Sequence, residues 1–298
     1  MMRALWTAAS GMTSQQTNVD VISNNLANIN TTGYKKQTAE FKSLLYQTIQ
    51  EQSTDNNGNP KPSGIQVGLG VRNSAISTQF TQGTFSETGN DTDFAISGKG
   101  FFMVQTPDGE VAYTRNGAFQ FARGPEGMTL ATAEGYPVLD TDGEPIVLDE
   151  AYNVTDITIN EYGELYYTNR TNSTTPAPTE DGEEAAGEEA NAEENQDEQN
   201  QTIPIGIRIG LAQFNNPNGL QKLSDSLLKS TDASGEARLE SEDGTLKTST
   251  IRSKYLEASN VQTVDEMVGL IVAQRAYEMN SKVITAADEM LKQANNLR

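Results

Sequence analysis

Two short stretches carry residue types whose spacing suggests chemistry. LDTDGEPIVLDE, residues 139–150, sets Asp140 and Asp142 beside Gly143 in the manner of a calcium loop. The spacing fails, because the glycine comes too early, no acid lies between it and Asp142, and the closing glutamate is displaced. A β-turn is predicted instead. SGKG, residues 97–100, has the glycine and lysine of a phosphate loop but lacks the upstream glycine and the following Ser or Thr. It too is predicted to be a turn between strands. Paired carboxylates could hydrolyse a glycosidic bond, yet the acids here gather in turns and in one tract, and no aromatic-rich constellation marks a sugar cleft. The chain has no histidine and no cysteine, which removes the commonest general base, the commonest metal ligands, thiolate nucleophiles and disulfides. No catalytic residue, metal or cofactor is expected.

Charge narrows the partners further. Forty-one acidic against 21 basic residues give a formal net charge of −20, which repels phosphate backbones and anionic lipid surfaces. No run of 18 apolar residues exists to span a membrane. The first residues, MMRALWTAASGMTSQQ, are interrupted by Thr7, Ser10 and Gly11 and do not form the apolar core of a cleavable secretory signal. At 298 residues, about two domains are expected.

The elements that would position any site fall into two kinds. Leu5, Met12, Val19 and Leu26 recur every seven positions, with a second row at Ala8, Gln15, Ile22 and Ile29. This is a heptad seam, and residues 3–29 as a helix would reach about 40 Å. At the other end Leu270, Tyr277, Ile284 and Leu291 repeat likewise, flanked by Ala276, Val283 and Met290 and spaced by Ala273 and Ala287. Thr263 with Glu266 reads as a capping box opening that helix. Between them the period changes to two. DFAISGKGFFMVQTPDGEVAYTRNGAF, residues 93–119, alternates strand-like runs with PDG and NG turns, and Ile203, Ile205, Ile207, Ile209 and Leu211 alternate along one strand. The fold class is therefore α+β: terminal helices pairing as a coiled coil around a central antiparallel β-rich domain. The expected partition is 1–32 with 256–298 helical, 33–75 with 231–255 connecting, and 76–230 β-rich.

Three segments fit neither pattern. Residues 171–201 hold ten acids, no Lys or Arg and no apolar residue larger than proline. Nothing there offsets the 1–2 kcal/mol or so that ordering each residue costs, so a disordered insertion carrying half the net charge is expected. Residues 51–70 read as an extended arm, following a short helical pattern with Phe41, Leu44, Leu45 and Ile49. The third is SNNLANINTTGYKK, residues 23–36, where four asparagines follow the helical seam, although asparagine favours turns over helices.

GMTSQQTNVDVISNNLANINTTGYKKQTAEFKSLLYQT at the start, SNVQTVDEMVGLIVAQRAYEMNSKVITAADEMLKQANNL at the end and the 93–119 stretch together resemble the bacterial flagellar rod and hook family. Within it the chain is most similar to the distal-rod branch, through RALWTAASGM and the succession LLYQT, an arm, then PSGIQVGLGV. The acidic tract departs from that pattern. The resemblance implies a non-enzymatic subunit exported by the flagellar type III apparatus, which polymerises with itself outside the cytoplasmic membrane and adjoins proximal rod, hook and envelope ring or bushing proteins. It implies that the terminal helices form an inner layer transmitting torque. The interface residues expected on this basis are Leu5, Met12, Val19, Ile22, Asn24, Asn25, Leu26, Asn28, Ile29, Leu270, Tyr277, Val283, Ile284, Met290 and Leu291. The asparagine amides would face neighbouring subunits, the alternative being an ordinary helix C-terminus frayed into a turn, and Gly33 would turn the chain outward. The competing readings are a hook or proximal rod subunit, and, in a different class, a secreted β-domain adhesin or binding module.

Overall fold

A computed structural model of the protein describes residues 2–50, 64–124, 127–149, 157–170, 200–241 and 244–296. The chain divides into two compact units, Met1–Thr84 with Ala258–Arg298, and Phe85–Glu257. Residues 33–75 thus fall with the terminal helices and residues 231–255 with the β-rich unit.

In the first unit the heptad segments form helices α1 (Met2–Ala27) and α2 (Thr263–Asn296). They pack antiparallel: Asn25 meets Glu266, a Cβ on Gly269 would touch Ile22, and one on Gly11 would crowd Asn280. The side of α2 toward α1 is built from small or polar residues at seven-residue spacing. Ala273 and Ala287 are 1% exposed and Glu266 is 3% exposed, with Asn280 half-buried between them. Small side chains let the backbones approach, which explains why the larger Tyr277, Val283, Met290 and Leu291 stay exposed.

The helical pattern expected around Phe41 to Ile49 is corrected. Residues Gln37–Ser43 form strand β1 and Tyr46–Gln50 form β2, pairing antiparallel with β4 (Val71–Thr78) and β3 (Ile65–Gly68) respectively. Apolar spacing over so short a run fits either period, and long-range pairing with the 65–68 and 71–78 segments decides it. Val71 N–H donates to Ser10 Oγ at 3.3 Å and Asn73 Nδ2 to Thr17 Oγ1 at 2.6 Å, laying the β1–β4 ribbon on α1.

The second unit is antiparallel throughout the described pairings. The PDG hairpin is present, joining β7 (Phe101–Gln105) to β8 (Val111–Thr114), with Gly109 at φ 80°. The NG step lies where Gly117 passes Phe94 O so closely that a Cβ would sit 1.7 Å from it. Asp140 Oδ1 accepts from the N–H groups of Asp142 (2.8 Å) and Glu144 (3.1 Å), the side-chain-closed turn that the aborted calcium spacing predicted. Glu164–Arg170 (β13) pairs with Asn200–Arg208 (β14). The acidic insertion lies outside the described residues except at its end, where Asn200 and Gln201 already belong to the ladder. Residues 51–63 of the expected arm lie outside them too.

The largely aliphatic core of this unit surrounds an aromatic group: Phe94, Phe102 and Phe119 are at most 2% exposed, and the Phe102 and Phe119 rings meet edge-on at 5.1 Å. Beside it Arg115 is buried, its Nη1 pairing with Glu257 at 3.3 Å, its Nη2 donating to Gly98 O at 2.8 Å, and its guanidinium 4.9 Å from the Phe101 ring. Removing one member of such a pair leaves a buried charge uncompensated. Arg115→Ala is expected to weaken this unit by about 3–5 kcal/mol, seen as lost hydrogen-exchange protection in β7 and β8; protection unchanged from the native chain would contradict the assignment.

Candidate functional site: where the two ends of the chain meet

The asparagine run is where α1 stops. Asn28 Nδ2 donates to Asn24 O and to Asn24 Oδ1, both at 2.9 Å, and Thr31 Oγ1 donates to Asn28 Oδ1 at 3.2 Å. The Asn28 amide adds to the bond that Asn28 N–H already makes to Asn24 O at 3.2 Å, so side chain and backbone close the last turn together. Gly33, at φ 69°, takes the left-handed conformation that completes the turn.

Asn25 does something different. It is 1% exposed, and its amide pairs with the backbone of Gln37 as a strand residue would, Oδ1 accepting from Gln37 N–H at 2.9 Å and Nδ2 donating to Gln37 O at 2.8 Å. Nδ2 also donates to Glu266 Oε2 at 3.1 Å, and Oδ1 accepts from Tyr34 Oη at 3.2 Å. All four of its hydrogen-bonding capacities are met within the chain. The carboxylate of Glu266, read from sequence as half of a capping box, is engaged by Asn25 and by an ion pair with Lys36.

A second asparagine completes the junction. Asn260 Oδ1 accepts from Lys36 N–H at 2.7 Å, while Nδ2 donates to Gln79 O at 2.8 Å and to Thr81 O at 3.1 Å. The buried Lys35 reaches the same Thr81 carbonyl at 3.0 Å. The YKK of residues 34–36 thus sits between α1 and the segment opening α2. Burial, and then the charge of Glu266, raise the Tyr34 phenol above its ordinary value of 10.0.

The expected interface residues separate by exposure. Ile22 and Asn25 are buried; Leu5, Met12, Val19, Leu26, Asn28, Ile29, Gly33, Leu270 and Ile284 are half-buried; Asn24, Tyr277, Val283, Met290 and Leu291 are exposed. Val19 and Tyr277 line one open groove between the helices. Sequence reasoning missed Tyr34, Lys35, Lys36, Asn260 and Glu266 as one cluster, since nothing in a linear pattern links positions 241 residues apart, as Asn25 and Glu266 are. It also missed Trp6, Val264, Met267, Val268, Ile271 and Val272, each more than half exposed; the five on α2 lie outside the heptad rows of Leu270, Ala273 and Ala276 that the sequence picked out. Among the described residues no group of acids could hold a metal ion, and no helix is long and apolar enough to cross a membrane.

A β-rich unit and a pair of terminal helices clasped by their own signature residues is the build of a structural subunit, with every buried carboxylate of the junction committed to holding the fold. Comparison with known proteins agrees and is specific: the chain belongs to the flagellar basal-body rod family. Residues 5–35 match the family model described as flagella basal body rod protein, residues 95–167 the flagellar hook protein FlgE/F/G D1 domain, and residues 252–297 the flagellar basal body rod FlgEFG protein C-terminal model. Its relatives include the flagellar basal-body rod proteins FlgG of Borreliella burgdorferi, 42% identical over 100% of this chain and 99% of the relative, of Caulobacter vibrioides, 41% identical over 100% of both, and of Bacillus subtilis, 33% identical over 100% of both.

Two outcomes follow from the junction. Asn25→Ala leaves Glu266, Tyr34 and the Gln37 backbone short of partners, an expected loss of about 1–3 kcal/mol, to be read as faster amide exchange at Gln37 and across α2 with the β-rich unit unaffected. Because the folded chain holds Tyr34 protonated more firmly than the unfolded chain does, its contribution is full below pH 10 and is lost as pH rises through the raised folded value. An alkaline titration of phenolate absorbance in the native chain minus that of Tyr34→Phe should therefore isolate a group titrating above an ordinary tyrosine.

Proposed function

We propose that the protein is a structural, non-catalytic subunit of the bacterial flagellar axis, polymerising into the distal part of the basal-body rod that carries torque toward the hook. The observation that carries this reading is the apolar face that α2 leaves uncovered, in a chain similar over its whole length to basal-body rod proteins. Val264, Met267, Val268, Ile271 and Val272 point away from α1 with between 52% and 73% of their surface exposed. Covering a side chain of this kind is worth about 1.5–3 kcal/mol when burial is complete, so the face is a strong driver of association. Further along α2 the exposed Tyr277 and Val283 lie closer to α1, lining the open grooves beside it.

Exposure divides the labour among the residues of the helical pair. Ile22, Asn25, Glu266, Ala273 and Ala287 hold α1 to α2 inside one copy, as a coiled-coil-like seam. The exposed residues meet further copies, and at the ends of the polymer meet the proximal rod and the hook. Export by the type III apparatus suits a chain without cysteine, which no disulfide can trap outside the cytoplasm.

Deleting the chromosomal copy and imaging purified basal bodies tests the assignment directly. A rod truncated before the hook is the expected result. A complete rod lacking only the hook would move the protein one position outward, and intact basal bodies with normal swimming would overturn the axial role.

A further inference from the structure

The chain has a single tryptophan, and it is uncovered: Trp6 is 74% exposed on α1. Its surroundings are unusually neutral, since no charged residue occurs between Arg3 and Asp20. A large exposed ring followed by so long an uncharged run can be covered with little desolvation of charge beyond Arg3.

A receptacle of matching form lies on α2. Val264, Met267, Val268 and Ile271, exposed by 73%, 52%, 55% and 55%, stand at positions i, i+3, i+4 and i+7. These are the four corners of a hole that receives one large side chain from a facing helix. Met267 adds a thioether, which makes favourable contacts with aromatic rings.

Knob and hole of one copy are out of each other's reach. The helices run antiparallel, with Thr7 and Ala8 beside Val283 in one open groove and Asn25 beside Glu266 at the other end. The level of Trp6 is thus about fifteen residues along α2 from the centre of the hole, roughly 20 Å at ~1.5 Å per residue. We propose that Trp6 of one copy seats in the Val264, Met267, Val268 and Ile271 hole of the next copy, head to tail. Charge agrees with this pairing: Arg3 lies one turn before Trp6 on the same face, and the exposed Asp265 adjoins the hole. Each added copy fills one hole and presents another, so the contact is head to tail and builds an open filament when its rotation does not close a ring. The inference rests on the polymer reading and specifies which surfaces meet in it.

The absence of cysteine makes the test clean. Trp6→Cys with Ile271→Cys, replacing the native copy in cells, should give a disulfide ladder of dimers, trimers and larger species in oxidised basal bodies, while each single variant gives none. Basal bodies that contain the double variant but no ladder, or dimers formed as readily by Ile271→Cys alone, would overturn the head-to-tail contact and leave the polymer reading standing. The purified native chain supplies an independent measurement, because its tryptophan fluorescence, excited to the red of tyrosine absorption, reports Trp6 alone. On concentration into sedimentable polymer the emission should shift to the blue and lose its quenching by iodide; unchanged emission in polymer would overturn the contact. Native chain that never sediments and never enters basal bodies would overturn the polymer reading, and the contact with it.

Discussion

A buried side-chain amide must have both its N–H groups and both its lone pairs met, and Asn25 meets them with groups from three separate parts of the chain. Gln37 supplies a backbone donor and acceptor, Tyr34 a hydroxyl, and Glu266 a carboxylate from the opposite terminus. Withdrawing any one of these partners leaves a group of Asn25 short of a bond in a site closed to water. The end of α1, the start of β1 and the first turn of α2 are therefore fixed together, and the remaining contacts of the helical unit are arranged around them.

That constraint accounts for the unusual division of residues between the faces of α2. With Glu266 committed inward, the heptad step brings Ala273, Asn280 and Ala287 onto the same side, and the helices approach on small side chains. The larger apolar residues from Val264 to Val272 are left exposed rather than covered by α1. A globular protein that folded for itself alone would have the opposite arrangement, since exposed apolar surface of this extent favours association. The packing thus serves two demands at once, a specific polar clasp within the subunit and an adhesive surface outside it.

The β-rich unit answers to a different rule. Its aromatic core and the buried Arg115 to Glu257 pair are internal to residues 85–257. Its carboxylates are likewise structural: Glu240 accepts from Gln213 and Ser249, and Asp140 closes its own turn. The stretches with a superficial likeness to calcium and phosphate loops have their polar groups already engaged, Asp140 Oδ1 by the N–H groups of Asp142 and Glu144, Gly98 O by Arg115 and Gly100 N–H by Ser249 Oγ.

Period and composition alone determined the terminal helices, the antiparallel middle and its PDG hairpin, and the exclusion of histidine and cysteine chemistry, since these depend on local spacing and on which side chains exist. Three long matching segments also made the family legible. Tertiary structure alone decided which heptad row faces inward, because Leu270 and Ala273 are equally acceptable to an isolated helix and only the place of Glu266 breaks the tie. It turned the segment from Phe41 to Ile49 into strands, since a partner some thirty residues away outweighs a weak local period. It also gave the asparagines two separate duties, closing a helix end at Asn24 and Asn28 and clasping the chain's two ends at Asn25. That difference depends on what lies within hydrogen-bond reach, and reach is a property of the folded chain.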